Sequence, residues 1–169
     1  MQFKNIVSLL ASISLAQAYV IPDGLQDGIY AVDMDENGNE HIELVSEIDD
    51  SAKTRMRRDP LPAGESGCSG EGLDYSDLSS AQVQLYNYCG AGASLTSKIM
   101  VFTHGTVKAY VCNYGDANTC ADHEAKAAFG SLSGTCGNPS SPLGGWYWLT
   151  KWAKTYGYDA AGADICTNM

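Results

Sequence analysis

The stretch "SKIMVFTHGTVKAYVCNY", residues 97–114, decides the fold of this chain of 169 residues. Two runs rich in β-branched and aromatic residues flank His104–Gly105, which predicts two strands joined by a tight turn. Successive side chains of a strand point to opposite faces, so the second run gives the sheet two different surfaces. Val107, Ala109 and Val111 are predicted on one face, and Tyr110 and Cys112 on the other.

Helical patterns precede and follow this pair of strands. In residues 76–90 apolar residues recur at spacings of three and four, and Gly90 stands where a C-terminal cap belongs. Residues 119–132 predict a second helix, with Thr119 as the N-cap and Asp122 completing a variant capping box. The expected inward stripes are Leu78, Ala81, Leu85 and Cys89 in the first helix, and Ala121, Ala125, Ala128, Phe129 and Leu132 in the second.

Two further strands are predicted after the second helix, in "WYWLT", residues 146–150, and "GADICT", residues 162–167. Residues 137–145, "GNPSSPLGG", have the composition of a loop. The order is then helix, strand, strand, helix, strand, strand. We therefore predict an α+β sandwich, in which an antiparallel sheet of about four strands is packed by two helices.

Cysteine usage predicts a disulfide-stapled domain. The even number of cysteines in a short exported stretch is typical of a disulfide framework, which supports a modest core. Zinc is disfavoured because no Cys-x-x-Cys pair occurs, so neither a metal nor another cofactor is expected. A helix separates Cys120 from Cys136, whereas Cys112 and Cys120 flank a turn-rich loop and form the favoured local bridge. The six residues are Cys68, Cys89, Cys112, Cys120, Cys136 and Cys166.

The first 18 residues have the pattern of a secretory signal peptide. Lys4 supplies a positive charge, Ile6–Leu15 is a short apolar run, and Ala16-Gln17-Ala18 is a typical cleavage site. The apolar run is too short to span a bilayer. A secreted, extracellular protein is therefore expected, with cleavage after Ala18.

Residues 19–58 have a different composition. The segment carries half of the chain's 20 acidic residues and few large apolar ones, which predicts an acidic, disordered arm with at most a weak hairpin at Asn37–Gly38. The chain's only arginines are Arg55, Arg57 and Arg58. This "RMRR" matches the recognition pattern of furin- and kexin-type proteases. We predict that a processing protease of the secretory pathway removes residues 19–58 as a propeptide and leaves a mature domain of residues 59–169.

The charge of the predicted mature domain excludes several classes of partner. Residues 59–169 carry five lysines, no arginine and ten acidic residues. Nucleic-acid binding requires a basic face, and a small ribonuclease usually needs an arginine beside the phosphate. A polybasic patch for anionic membranes is also missing from the sequence, and no stable membrane insertion is expected.

Several of these segments together resemble a known group. Residues 21–41, the "RMRR" site, residues 109–124 ("AYVCNYGDANTCADHE") and residues 144–159 ("GGWYWLTKWAKTYGYD") are similar to small secreted cysteine-rich proteins of filamentous fungi. That group comprises convertase-processed candidate effectors and toxin-like proteins. The predicted arrangement of helices and strands is also similar to killer-toxin-like α/β sandwiches. The resemblance implies secretion, processing and a disulfide fold, and it implies no particular chemistry.

The sequence gives little support for a catalytic site. No Gly-x-Ser-x-Gly elbow accompanies His104 or His123, as a nucleophilic triad would require. A glycosidase needs two opposed carboxylates, but the available acidic residues are predicted at helix starts and in loops. No catalytic residue is assigned, and the chain is expected not to be an enzyme. The acids considered are Asp74, Asp77, Asp122, Glu124, Asp159 and Asp164.

The richest candidate for a binding site is the aromatic run of residues 146–158. In a strand one set of these rings enters the core, and the other set is free to bind a sugar or a protein. Core packing is the alternative explanation for any single ring. The proposed binding residues are Trp146, Trp148, Trp152, Tyr156 and Tyr158.

Three functions remain open at this point. The first is a non-enzymatic effector or toxin-like protein that acts on a host or competitor molecule through a surface of the mature domain. The second is a carbohydrate-binding module for a cell-wall polysaccharide. The third is a small hydrolase, which requires a cleft that joins a histidine to a carboxylate.

Overall fold

The computed structural model describes residues 19–20, 22, 24–37, 39–45 and 61–167. The predicted signal peptide, including Ala18, and the three arginines lie outside these residues. The strands are β1 (Tyr19–Val20), β2 (Gly28–Met34), β3 (Glu40–Leu44), β4 (Glu65–Gly72), β5 (Ala93–Leu95), β6 (Ile99–His104), β7 (Val107–Asn113), β8 (Asn118–Cys120), β9 (Gly137–Asn138), β10 (Ser141–Leu149), β11 (Lys154–Ala160) and β12 (Asp164–Ile165). The helices are α1 (Tyr75–Cys89) and α2 (Asp122–Thr135).

The α+β class with two helices is confirmed, but the prediction of about four strands is wrong. The main sheet has eight strands, in the order β3-β2-β6-β7-β11-β10-β4, with β9 paired to β10. All of its pairings are antiparallel. The predicted hairpin β6–β7 lies near the centre. The two edge strands of the path, β3 and β4, lie at opposite sides of the sheet.

Two strands beyond the predicted four belong to the acidic segment, where at most a weak hairpin at Asn37–Gly38 was predicted. Strand β2 pairs with β6 over five residues, from Gly28 opposite Thr103 to Val32 opposite Ile99. Strand β3 pairs with β2 across the turn that Asp35 closes. The expectation of disorder is therefore wrong for β2 and β3, because the rest of the sheet supplies apolar surface that the isolated segment lacks. The division of the chain at Arg58 stays a prediction.

Both helices pack on one face of the sheet. Their predicted inward stripes are buried, together with Met100, Phe102 and Tyr156 from the strands beneath. Asp74 caps α1 by accepting the N–H of Asp77 at 3.0 Å, and Gly90 ends it as predicted. The cap predicted for α2 is wrong: its N-cap is Ala121, because Thr119 belongs to strand β8, which pairs with β5.

The opposite face of the sheet is covered by the C-terminal segment. Ile165 and Cys166 pack there against Tyr30, Val32, Ile99, Val101, Tyr110 and Cys112. Lys108 is completely buried and donates hydrogen bonds to the carbonyls of Ala161, at 2.9 Å, and Ala163. Strand β1 adds to β12 on this side. Tyr110 lies across Gly157, where a Cβ atom would stand 2.3 Å from the phenol ring.

All six cysteines form disulfides, as predicted, although the favoured pair is wrong. The bridges are Cys68–Cys136, Cys89–Cys120 and Cys112–Cys166. The β5–β8 pairing brings Cys120 to the end of α1, whereas Cys112 points to the opposite face of the sheet. A bridge between Cys112 and Cys120 is therefore ruled out by the faces on which they lie. The excluded pair Cys120–Cys136 is indeed absent.

Among the described residues, no helix has both the length and the apolar character needed to cross a membrane.

Candidate functional site: a groove between the helices

The predicted aromatic site is divided by the fold. Residues 154–160 form strand β11, which lies between β7 and β10 and is covered on both faces. Tyr156 and Tyr158 project beneath the helices and have exposed fractions of 0% and 1%. These two side chains are core residues, so neither offers an exposed ring face on this strand, although Tyr158 also lines the groove described below.

The three tryptophans are half-buried. Trp146 lies against Gly67 of β4, where a Cβ atom would stand 2.5 Å from the indole ring. Trp148 makes an edge-to-face contact with Tyr114, with ring centroids 5.2 Å apart. Trp152 packs at the border of the core, 4.8 Å from the ammonium of Lys154. These rings support the sheet, and part of each remains at the surface.

A buried charge network lies beneath Trp152. The ammonium of Lys154 is 2.6 Å from Oε2 of Glu124, and it also donates to the carbonyl of Thr119 at 2.6 Å. The hydroxyl of Tyr156 donates to the same Glu124 oxygen at 2.7 Å. Burial lowers the pKa of Lys154, and the bond to Glu124 opposes this change. Every partner in the network is satisfied, so its arrangement is that of a structural element.

His104 belongs to the β6–β7 turn. Its Nδ1 lies 3.1 Å from Oδ2 of Asp27. The other oxygen of this carboxylate, Oδ1, accepts the N–H of Gly105 at 2.8 Å. On the other side of the turn, Asp77 accepts both the N–H and the hydroxyl of Thr106, at 2.8 and 2.9 Å. The hydroxyl of Thr106 in this turn is thus bound by a carboxylate. Together, the contacts of Asp27 and Asp77 fix the turn against β2 and α1.

The remaining candidate acids have structural partners or lie at the surface. His123 and Lys126 lie 3.8 and 2.7 Å from the carboxylate of Asp122 on α2. Asp159 is buried and accepts a hydrogen bond from the hydroxyl of Ser69 at 3.0 Å. Asp164 is exposed on β12. Within the described ranges, no three His, Cys, Asp or Glu side chains are arranged to hold a metal ion.

The turn cluster predicts a pH-dependent stability. The bonds from Thr106 lower the pKa of Asp77, so its stabilising contribution is complete above the unfolded-state pKa of about 3.9 and is lost as the pH falls through the folded-state pKa. We expect Asp77→Asn to lower the free energy of unfolding by about 0.5–1 kcal/mol at pH 7, a small value because the carboxylate is screened by solvent. In urea titrations the difference between the variant and the wild type should shrink as the pH falls through the folded-state pKa of Asp77. A difference that stays constant with pH would contradict this account.

A groove between α1 and α2 is the surface feature that the sequence did not reveal. It has a volume of about 310 Å³ and is closed at one end by the turn after β9. Tyr75, at the start of α1, is 60% exposed and forms one wall. The other lining residues are Leu78, Gln82, Tyr86, Lys126, Phe129, Gly130, Ser133, Asn138, Pro139, Pro142 and Tyr158.

The groove combines aromatic surface with hydrogen-bonding groups. Burial raises the pKa of Tyr86 to about 12, so its hydroxyl is a neutral donor and acceptor at physiological pH. Lys126 lies 5.2 Å from the centroid of the same ring and places a positive charge at the rim. The amides of Gln82 and Asn138 lie on different elements and face the same space. Concave aromatic surface with a few polar groups is the common character of ligand sites.

The comparisons with known proteins add no relative. No protein-family model matches the chain, and no curated protein and no solved structure is significantly similar to it.

Proposed function

We propose that this chain is a secreted, non-enzymatic effector or toxin-like protein that binds its target through the groove between α1 and α2. The signal-peptide pattern and the convertase site support export and processing. The three disulfides are compatible with an oxidising, extracellular environment. The target is a molecule of a host or competitor, as the resemblance to fungal secreted proteins implies.

The observation that carries the proposal is the aromatic lining of this groove. Tyr75 is the one large aromatic side chain among the described residues that is mostly exposed. It lines the groove together with Tyr86 and Phe129, so a ligand that enters would cover ring surface that the protein itself leaves open. Exposed aromatic anchors of this kind carry much of the energy at binding surfaces.

Non-catalytic action is supported by the positions of the titratable groups. Neither His104 nor His123 lines the groove, and each contacts a carboxylate of a turn or a helix start. Glu124 is tied to Lys154 in the core. A hydrolase would need an acid, a base and a nucleophile that converge on one cleft. The described groups serve separate structural contacts, which favours binding over chemistry.

Carbohydrate binding is the second candidate, and the composition of the groove favours it. Tyrosine faces stack on sugar rings, while the amides of Gln82 and Asn138 and the hydroxyl of Ser133 match the hydroxyl groups of a glycan. Lys126 is the one charged residue of the lining, and its ammonium is paired with the carboxylate of Asp122 at 2.7 Å. The groove therefore presents little net charge, which suits a neutral wall polysaccharide.

Two assays test the groove. In the first, processed and oxidised protein is sedimented with insoluble chitin, cellulose and β-glucan. Retention that falls at least about tenfold in Tyr75→Ala and persists in Val83→Ser would support a carbohydrate site. Val83 is the matched control, because it is an exposed apolar residue of the same helix outside the groove. Loss of retention in Trp152→Ala alone would place the sugar site at the turn between β10 and β11 instead.

The second assay tests protein targets on intact cells. A photoreactive cross-linker is attached at position 133, an exposed lining residue of the groove, in one sample and at position 83 in the other. We expect one saturable surface partner to be labelled from position 133 only, and excess wild-type protein, but not Tyr86→Ala, should compete. Equal labelling from both positions, together with no polysaccharide retention, would overturn the proposed binding role of the groove.

A further inference from the structure

Residues 19–45 are joined to the rest of the protein by one covalent connection only. The chain has no cysteine before Cys68, so none of the three disulfides reaches this part. The connection is the backbone between Val45 and Leu61, and the three arginines lie within it. Cleavage after Arg58 would therefore produce two chains with no bond between them.

The first noncovalent attachment of this segment is strand β2. It completes the sheet at the β6 edge, and Tyr30 and Val32 insert into the apolar layer on the outer face. Their exposed fractions are 6% and 0%. On the helical face, Ile29 and Ala31 pack against the main core. Both faces of β2 are thus built into the domain that carries the disulfides.

Polar contacts fix the register of this strand. The hydroxyl of Thr103 donates to the carbonyl of Gln26 at 2.9 Å and accepts the N–H of Gly28 at 3.0 Å. At the other end of β2, Asp33 accepts the N–H of Lys98 at 2.8 Å. Asp27 holds the β6–β7 turn through Gly105. A slip by one residue would break these bonds and move Val32 to the opposite face.

A second attachment lies at a separate place. Tyr19 and Val20 form β1, which pairs with Ile165 and Asp164 of β12. Strand β12 is itself fixed, because Cys166 is bonded to Cys112 of β7. The segment therefore contacts the mature domain at two places. If one strand pairing dissociates, the other keeps the segment at a high effective concentration beside the domain.

The topology makes cleavage compatible with this arrangement. Strand β3, where the segment leaves the sheet, and strand β4, where the described chain resumes, lie on opposite edges. They are six inter-strand steps apart, or roughly 29 Å. A cut between them interrupts none of the strand pairings formed by the described residues, so the hairpin and the remaining sheet keep these partners.

We propose that the segment ending at Arg58 remains bound after processing, so that the processed protein is a noncovalent pair of chains. The proposal rests on the convertase cleavage proposed above. The bound segment closes the β6 edge, which would otherwise present free N–H and C=O groups of residues 99–103. The usual view of a propeptide as a discarded arm would then not apply to this protein.

The test begins with the oxidised full chain from Tyr19, cut in vitro with a kexin-type protease. Denaturing mass spectrometry without reductant should show two separate chains. Native mass spectrometry and gel filtration of the same sample should show one species with their summed mass. Two chains under both conditions, with residues 59–169 alone in the native spectrum, would overturn retention while leaving the processing proposal intact.

A chain that the protease does not cut would overturn the processing proposal instead. Retention is then measured on a chain in which residues 54–58 are replaced by the recognition sequence of a site-specific protease. The same native comparison applies to this nicked protein. Failure of cleavage and failure of retention are thus separate results.

A competition experiment identifies the contacts responsible. The nicked wild-type pair is mixed with an excess of labelled peptide 19–58, and incorporation of label is followed by native mass spectrometry. Val32→Asp in the peptide should weaken competition at least about 100-fold, since it buries a carboxylate without a partner. Glu43→Gln, on exposed β3, should compete like the wild-type peptide. Equal competition by both variants would contradict the proposed interface.

Discussion

Replacement of Lys154 with methionine is expected to lower the free energy of unfolding by about 3–5 kcal/mol. The lysine and Glu124 are both almost completely buried, and their charged atoms are 2.6 Å apart. Methionine occupies the space of the aliphatic stem but leaves the Glu124 carboxylate with the hydroxyl of Tyr156 as its described donor. An uncompensated charge in the core is among the most costly changes that one substitution makes. Urea unfolding of the oxidised protein measures the loss.

Lys126→Met is the matched control for this variant. Lys126 also contacts a carboxylate, that of Asp122 at 2.7 Å, but its side chain is 54% exposed. Its loss should cost no more than about 0.5 kcal/mol. The double variant Lys154→Met, Glu124→Gln should regain a large part of the stability, because no charge is then left in the core. Similar losses in the two single variants would contradict the role assigned to burial.

Removal of the Cys112–Cys166 bridge is the second large effect. The double variant Cys112→Ala, Cys166→Ala opens a loop with a sequence separation of 54 residues. The loss of cross-linking entropy then predicts a decrease of about 4 kcal/mol in the free energy of unfolding. The melting temperature should fall by roughly 10–20 °C. The bridge also holds β12 on the outer face, so Ile165 and the Lys108 contacts should loosen first.

Hydrogen exchange distinguishes this local effect from uniform destabilisation. In the variant without Cys112–Cys166, amides of residues 161–165 and of β1 should lose protection more than those of α1. Removal of Cys89–Cys120, with a separation of 31 residues, is the control, because it joins the end of α1 to β8 on the other face. Its loss should weaken protection near α1 and β8. Identical exchange patterns in the two variants would argue against separate roles for the bridges.

Local patterns were sufficient to predict the helices and the central hairpin. The stripes of α1 and α2 have helical spacing, and β6–β7 alternates around a Gly turn, so neighbouring residues carry the signal. Strands β2 and β3 were predicted only as a weak hairpin in a disordered arm, because an acidic composition outweighed the alternation of Tyr30 and Val32 with their neighbours. The formation of these two strands depends on pairing with the edge of β6, which lies about 70 residues away in sequence. Tertiary burial of this kind cannot be read from the segment itself.

The candidate site was harder to predict, for a related reason. The aromatic run of residues 146–158 stood out in sequence, but a central strand buries both of its faces, so Tyr156 and Tyr158 became core. The groove instead joins Tyr75 and Tyr86 of α1, Lys126 of α2 and Asn138 of β9, which are three separate elements. None of these forms a motif. A tyrosine directly before the predicted first helix, Tyr75, was the signal that the sequence contained.

The spans of the three bridges overlap, and this protects the chain against digestion. The intervals 68–136 and 112–166 together include every peptide bond from Cys68 to Cys166. An extracellular endoprotease that hydrolyses any one of these bonds leaves the two fragments linked by a disulfide. A single cleavage within that interval therefore does not separate the chain into two molecules. Ahead of Cys68 no such tether exists, and the one tribasic recognition sequence of the chain lies there.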